Sequence, residues 1–247
     1  MKIAIISDIH SDIRSLEKAL KMIRKTGFDQ LVCLGDIAGY SHHYHKDLDG
    51  RDSNGCIEMV EETCNITIAG NHDHYWSGKL PVYLKKKIYP DNWFELDLSE
   101  QIKISRNTIW LYHDEIKDTI NDDHIQFLAS LPETHIFPVE NFTILFSHFL
   151  YPDLTGATKF FPSKIGHFRP HLKYMKQQKS LYGIMGHGHL QGYSITSRKQ
   201  FRYNYFGKTG LDLIPQIIIG PAITRGDSKN GFMILNTSIP ELEVIQI

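Results

Sequence analysis

The chain has 247 residues, 41% hydrophobic and 22% charged, which is enough to bury one large core. Its formal net charge of -1 argues against a global field for nucleic acid or an anionic membrane. Cys33, Cys56 and Cys64 are odd in number and form no Cys-x-x-Cys pair, so no disulfide framework is expected and a reducing, cytoplasmic setting is. Met1-Lys2 runs straight into a strand pattern, which leaves no room for a signal peptide, and no apolar run approaches transmembrane length. Lysines cluster at 85–87 and 173–179, and both clusters read as solvated helix faces.

Lys2 to Ser7 is almost continuously apolar, the pattern of a strand covered on both faces. It ends in Asp8-Ile9-His10, where a period of two would point the carboxylate and the imidazole the same way. In isolation, that pair suits a capping turn equally well. Ser11 or Asp12 can cap a helix over 13–25, with Ile13, Leu16, Leu20 and Ile23 on one face and Gly27 closing it. A second strand, Gln30 to Leu34, ends in Gly35-Asp36, and strand–helix–strand makes a βαβ unit. Cys33 inside it reads as core packing.

Residues 38 to 55 form a polar loop holding His42, His43 and His45. It leaves the strand end that carries Asp36, so it can line the mouth of a site. The expectation is that it shapes substrate choice and binds no metal. A helix over 56–64 leads to the strand Ile66–Ala69, and Gly70-Asn71-His72-Asp73 follows at once. Between 74 and 118 the aromatic-rich pattern predicts packing residues, a helix over 79–87 and a strand over 108–112. A helix over 122–131 ends at Leu131-Pro132, and strands follow at 134–138 and 142–147, the second ending in Ser147-His148. Residues 151 to 170 read as a long loop near the site, and a helix over 170–178 leads to the strand 181–185. That strand ends in Gly186-His187-Gly188-His189. Antiparallel strands are expected at 191–196, 200–206, 215–219, 231–236 and 241–246, with a turn over 207–210.

Five strand ends thus present Asp8 and His10, Asp36, Asn71, His148, and His187 with His189. His72 is left over as a proton carrier. Mixed oxygen and nitrogen donors suit manganese, iron, zinc or nickel better than calcium or magnesium. Seven donors exceed one tetrahedral zinc but fit two metals sharing a carboxylate, the arrangement for in-line displacement at phosphorus.

The blocks D-x-H, G-D, G-N-H-D, H and G-H-x-H, in this order, resemble the calcineurin-like metallophosphoesterase superfamily. Gly35-Asp36-Ile37-Ala38-Gly39-Tyr40 and the helix ending in Leu128-Ala129-Ser130-Leu131-Pro132 are most similar to its small bacterial and archaeal phosphodiesterase-like branch. The resemblance implies an α/β (α+β) fold, a four-layer αββα sandwich of two mixed sheets packed face to face, in one domain over 1–247. It implies that Asp8, His10 and His189 hold one metal, that Asn71, His148 and His187 hold the other, and that Asp36 bridges them. Two divalent transition metals are implied, manganese first. His72 is implied as the catalytic histidine, oriented by Asp73. The implied function is hydrolysis of phosphomono- or phosphodiesters by in-line attack of a hydroxide bridging the metals. A small phosphoester or nucleotide is the expected substrate, with no membrane partner and no long nucleic acid. Homo-oligomerisation stays open. The alternatives are a nucleotide or nucleic-acid phosphodiesterase and a non-catalytic metal-binding scaffold of the same fold. The chain departs from the pattern in Gly188, in the long histidine-rich loop, and in Ile219 to Thr224, which stands where the family has N-P-G-S-V-G.

Overall fold

The computed structural model describes residues 1–45, 48–87 and 89–247. Residues 46 and 47 of the histidine-rich loop, and residue 88, lie outside the described residues. In chain order the elements are β1 (Lys2–Ile6), α1 (Ile13–Thr26), β2 (Gln30–Cys33), α2 (Ser53–Thr63), β3 (Ile66–Thr67), α3 (Asn71–Trp76), α4 (Val82–Lys85), α5 (Leu98–Ser105) and α6 (Asp122–Ser130). Then come β4 (Thr134–Pro138), β5 (Thr143–Ser147), α7 (Arg169–Gln177), β6 (Ser180–Met185), β7 (Tyr193–Thr196), β8 (Phe201–Asn204), β9 (Gly207–Gly210), β10 (Gln216–Ile219), β11 (Gly231–Asn236) and β12 (Glu241–Gln246).

The strands form two mixed six-stranded sheets, ordered β3-β2-β1-β11-β12-β9 and β4-β5-β6-β10-β7-β8. β1, β2 and β3 run parallel, as do β5, β6 and β10. The remaining pairings are antiparallel. Alternation along the strands divides the core into layers. Ile3, Ile5, Val32, Met233 and Leu235 of the first sheet meet Ile144, Phe146, Tyr182, Ile184 and Ile218 of the second. The other face of the first sheet, with Ala4, Ile6, Leu31 and Cys33, packs on Leu16, Ala19 and Ile23 of α1 and Cys56, Ile57 and Val60 of α2. Leu145, Met185 and Ile217 of the second sheet pack on Phe168 and Met175 beside and within α7. The result is the expected order helix, sheet, sheet, helix. Among the described residues no helix is long and apolar enough to cross a membrane.

Helix α1 starts where Asp12 accepts from Ser15 N at 3.0 Å and stops at Gly27, whose φ of 66° lies in the left-handed region. Four readings need correction. The strand expected at 108–112 is a single bridge, Ile109 to Thr158, inside a satellite cluster of Leu80, Leu84, Trp93 and Leu111. The 79–87 helix shrinks to α4, because Pro81 fixes its start and its run is only one turn. Helix α5 was not expected, although Asp97 and Glu100 spell its capping box. Residues 207–210 are no turn but β9, paired with β12 at the sheet edge.

Candidate metal centre

The polar strand ends converge at the carboxyl ends of β1, β2, β3, β5 and β6. They do not converge by the period of two. Strand β1 ends at Ile6, and Asp8, His10 and Ser11 take φ of 54°, 47° and 62°. Asp36, His187 and His189 are likewise left-handed, at 53°, 61° and 42°. Such backbone costs about 1–3 kcal/mol per residue and persists only where its surroundings enforce it. Here Asp8 N donates to Gly35 O at 3.0 Å, and Ile9 N and His10 N both donate to Asp36 O at 2.8 and 2.9 Å. His187 N donates to the Asp8 carboxylate at 3.0 Å. Gly35 has φ of 94° and lies so close to the backbone of Ala69 and Gly70 that a Cβ there would overlap it.

These turns gather the donors around Asp36. Asp36 Oδ2 lies 3.1 Å from His148 Nε2 and 3.7 Å from His10 Nε2. Asp8 Oδ1 lies 3.3 Å from His189 Nε2 and 3.8 Å from His148 Nε2. His10 Nε2 and His189 Nε2 are 3.1 Å apart, and His187 Nδ1 is 3.3 Å from His148 Nε2. Asp36 belongs to two of the groups that could hold an ion, one with His10 and His72, the other with His148 and His187. Asn71, the first residue of α3, is buried beside them.

The donor chemistry fits metal. His10 Nδ1 and His148 Nδ1 sit 2.8 Å from the carbonyl oxygens of Gly39 and Leu34, which only accept. Those nitrogens therefore carry the ring proton, and each Nε2 faces the cluster with a lone pair. Asn71 Oδ1 is buried with no hydrogen-bond partner among the described residues. An orphaned buried acceptor of this kind is costly unless a ligand satisfies it.

Charge in the cluster is tightly coupled. Burial pushes the Asp36 carboxyl up, but His148 and His72 hold it well below its ordinary value. Burial pushes His148 down, yet until a cation binds the Asp36 carboxylate raises it to about 10 by holding a second proton at Nε2, the position from which a bound metal would displace that proton. Burial and the neighbouring His148 push His187 down to about 3.

His72 lies on the rim of this cluster, its backbone N donating to Asp36 Oδ1 at 2.9 Å. The expected orienting role of Asp73 is not met. Both Asp73 oxygens are taken by backbone: Asp36 N and Ile37 N donate at 2.8 Å and Gly70 N at 2.9 Å. Asp73 thus caps α3 and clamps the Asp36 turn. The ring of His72 is held instead by Glu115, whose Oε1 bonds His72 Nδ1 and whose Oε2 accepts from Trp76 Nε1 at 2.7 Å. Burial lowers His72, but Glu115 and then Asp36 raise it to about 9. Tyr112 packs against His72 with ring centroids 4.9 Å apart, and Tyr75 against Tyr112 at 4.7 Å. Residues 74–118 therefore supply the His72 side of the site as well as core. Glu115 carried no sequence signal, since it follows no strand end.

Of the histidine-rich loop, His42 and His43 are exposed and His45 is buried against His10. The loop over 151–170 covers His187, with Phe161 stacked on its ring at 5.5 Å between centroids. The turn 219–224 is tied to the Asp8 backbone, Ile223 N to Ser7 O and Thr224 N to Asp8 O at 2.9 Å.

An uncharacterized protein of Methanocaldococcus jannaschii is 27% identical over 161 residues, 61% of this chain and 54% of that protein. The match thus spans about half the length of that curated relative. Among solved structures, a metallophosphoesterase from Sphaerobacter thermophilus superposes with a TM-score of 0.64 at 19% identity, covering 100% of this chain and 88% of that one. A hypothetical protein from Pyrococcus horikoshii superposes with a TM-score of 0.59 at 12% identity, covering 100% and 87%. At these identities the two structures speak to the fold alone. The sequence profile of the calcineurin-like phosphoesterases matches residues 1–205, and the chain belongs to that family.

Proposed function

We propose that the protein is a dinuclear metal-dependent phosphoesterase acting on small phosphomono- or phosphodiesters, nucleotides among them. The observation that carries this reading is the central place of Asp36, within reach of His10 on one side and His148 on the other. Asp8, His10 and His189 would hold one ion, Asn71, His148 and His187 the other, with Asp36 shared. When bound, divalent transition metals, manganese first, supply Lewis acidity at phosphorus and lower the pKa of water toward neutrality.

The chain's own residues do the rest. Asn71 Oδ1 is a buried acceptor without a competing partner among the described residues, so it is available to the centre. His72, held at Nδ1 by Glu115, leaves Nε2 as its free end. The Glu115 carboxylate favours the protonated form of the ring. That form can stabilise charge on a phosphoryl oxygen or give its proton to the leaving oxygen, a contribution of about 10²–10⁴-fold. Phe161 and Phe149 cover His187 and exclude water from that flank.

The test is a metal-resolved screen against p-nitrophenyl phosphate, bis-p-nitrophenyl phosphate and 2′,3′-cyclic nucleotides, with elemental analysis of protein purified without chelator. About two transition metals per chain and metal-dependent turnover are expected. A single metal with no second binding event sinks the dinuclear reading. Background rates on every ester, with both metals bound, favour the scaffold.

A further inference from the structure

The histidine-rich loop sends one imidazole into the centre. His45 is 3% exposed, while His42 and His43 are exposed to solvent. Its ring centroid lies 4.5 Å from that of His10 and 6.2 Å from that of His189. A nitrogen of His45 lies within 4.8 Å of ligand atoms of both. His45 Nε2 is buried and has no hydrogen-bond partner among the described residues. Position alone would make His45 another metal ligand.

The second ring nitrogen argues against that. Ser41 N donates to His45 Nδ1 at 3.2 Å. A nitrogen that accepts holds a lone pair, so the ring is neutral and its one proton sits on Nε2. His10 and His148 have the opposite tautomer, with Nδ1 donating to a carbonyl and Nε2 left to coordinate. The Ser41 contact is held by its surroundings. Ser41 O accepts from His45 N at 2.9 Å, and Ser41 forms a bridge with Glu115. His45 therefore aims a donor at the centre where its neighbours aim acceptors.

We propose that His45 is a substrate-binding residue whose Nε2–H donates to an anionic non-bridging oxygen of the phosphoryl group. This rests on the phosphoesterase reading above. The loop contributes one buried donor beside the His10 and His189 flank, and the ligand class is a phosphate, as free ion or ester.

Two measurements test it on metal-loaded protein. The first is calorimetric titration of inorganic phosphate into wild type, His45→Ala and His45→Gln, with elemental analysis of each. A hydrogen bond to a charged group is lost in His45→Ala, so phosphate affinity falls about 10- to 100-fold. Metal content stays at the wild-type level, and His45→Gln, whose amide can donate, recovers part of the affinity. The second is a long-range proton–nitrogen spectrum of zinc-loaded wild type. It should show His45 protonated at Nε2 and His10 and His148 protonated at Nδ1. Because it uses wild type, it decides even where His45→Ala fails to fold. Loss of metal in His45→Ala, or a proton on His45 Nδ1, overturns the proposal in favour of a ligand. Unchanged phosphate affinity overturns it in favour of packing. Wild type that binds metal but no phosphate removes the phosphoesterase reading itself, which is a separate outcome.

Discussion

Glu115 Oε1 bonds His72 Nδ1, and the same carboxylate accepts from Trp76 Nε1 at 2.7 Å. A long-range contact of 43 residues in sequence therefore fixes the ring of His72, the proton donor proposed above. Glu115 acts through His72, so it is a positioning residue. Glu115→Gln keeps the size and removes the charge. Turnover of alkyl or nucleoside phosphoesters should fall about 10- to 100-fold, and of p-nitrophenyl esters far less, since nitrophenolate leaves without a proton. The sign of the pH effect follows from the raised pKa of His72. A group that must stay protonated loses activity as pH rises through its pKa, and removing Glu115 lowers that pKa. The alkaline limb of kcat against pH should move to lower pH in Glu115→Gln, with metal content intact. An unmoved limb would show that Glu115 does not govern this proton.

Asp36 and His189 differ in what each can reach. Asp36 Oδ2 lies near both His10 and His148, while His189 Nε2 meets Asp8 and His10. Asp36→Asn should therefore lower occupancy at both halves of the centre. His189→Ala should lower it at one. Elemental analysis paired with titration of manganese into chelator-treated protein separates the two. Asp36→Asn with two metals and near-normal turnover removes the shared-ligand assignment.

Asp73 should matter for stability more than for chemistry. Its carboxylate takes backbone N–H groups from residues 36, 37 and 70, all buried. In Asp73→Asn one oxygen becomes an NH₂, which cannot accept from them. The expected cost is about 2–4 kcal/mol in unfolding free energy. Because Asp73 clamps the Asp36 turn, metal affinity should weaken along with it. Urea unfolding read beside metal content checks this, and unchanged stability would mean the clamp is dispensable.

The sheets and the donors were legible because apolar runs that stop at Asp8, Asp36, Asn71, His148 and His187 encode both the strand and its polar terminus. The pairing of Asp8 with His10 has a different origin from the one their spacing suggests. Extended geometry was expected, whereas left-handed turns held by Gly35 O and Asp36 O orient them. Glu115 was not legible, because its meeting with His72 depends on how residues 74–118 return to the site, and no periodicity reports that. Asp73 was misassigned for a related reason. A carboxylate beside a histidine in sequence sits at the third position of a short helix, where its nearest donors are backbone. His45 could be placed near the mouth from its loop, but its separation from His42 and His43 needed the fold.

His171 gives a pH prediction that is independent of metal ligands. It is fully buried in α7, its Nδ1 accepts from Tyr151 N at 2.9 Å, and its Nε2 has no hydrogen-bond partner among the described residues. Burial pushes its pKa down to about 3. In the unfolded chain the ordinary value is about 6.5. Between these values the unfolded chain binds a proton that the fold refuses. Stability is therefore fully present above about pH 6.5 and is lost as pH falls toward about 3, at about 1.4 kcal/mol per pH unit for this one group. His171→Gln keeps an acceptor for Tyr151 N and cannot titrate. Its urea-unfolding free energy should fall less steeply than wild type between about pH 6 and pH 4, by the slope of one proton. Carboxylates and metal release contribute to both proteins and cancel in the difference. Parallel slopes for the two proteins would mean that His171 charges in the folded state, against its burial.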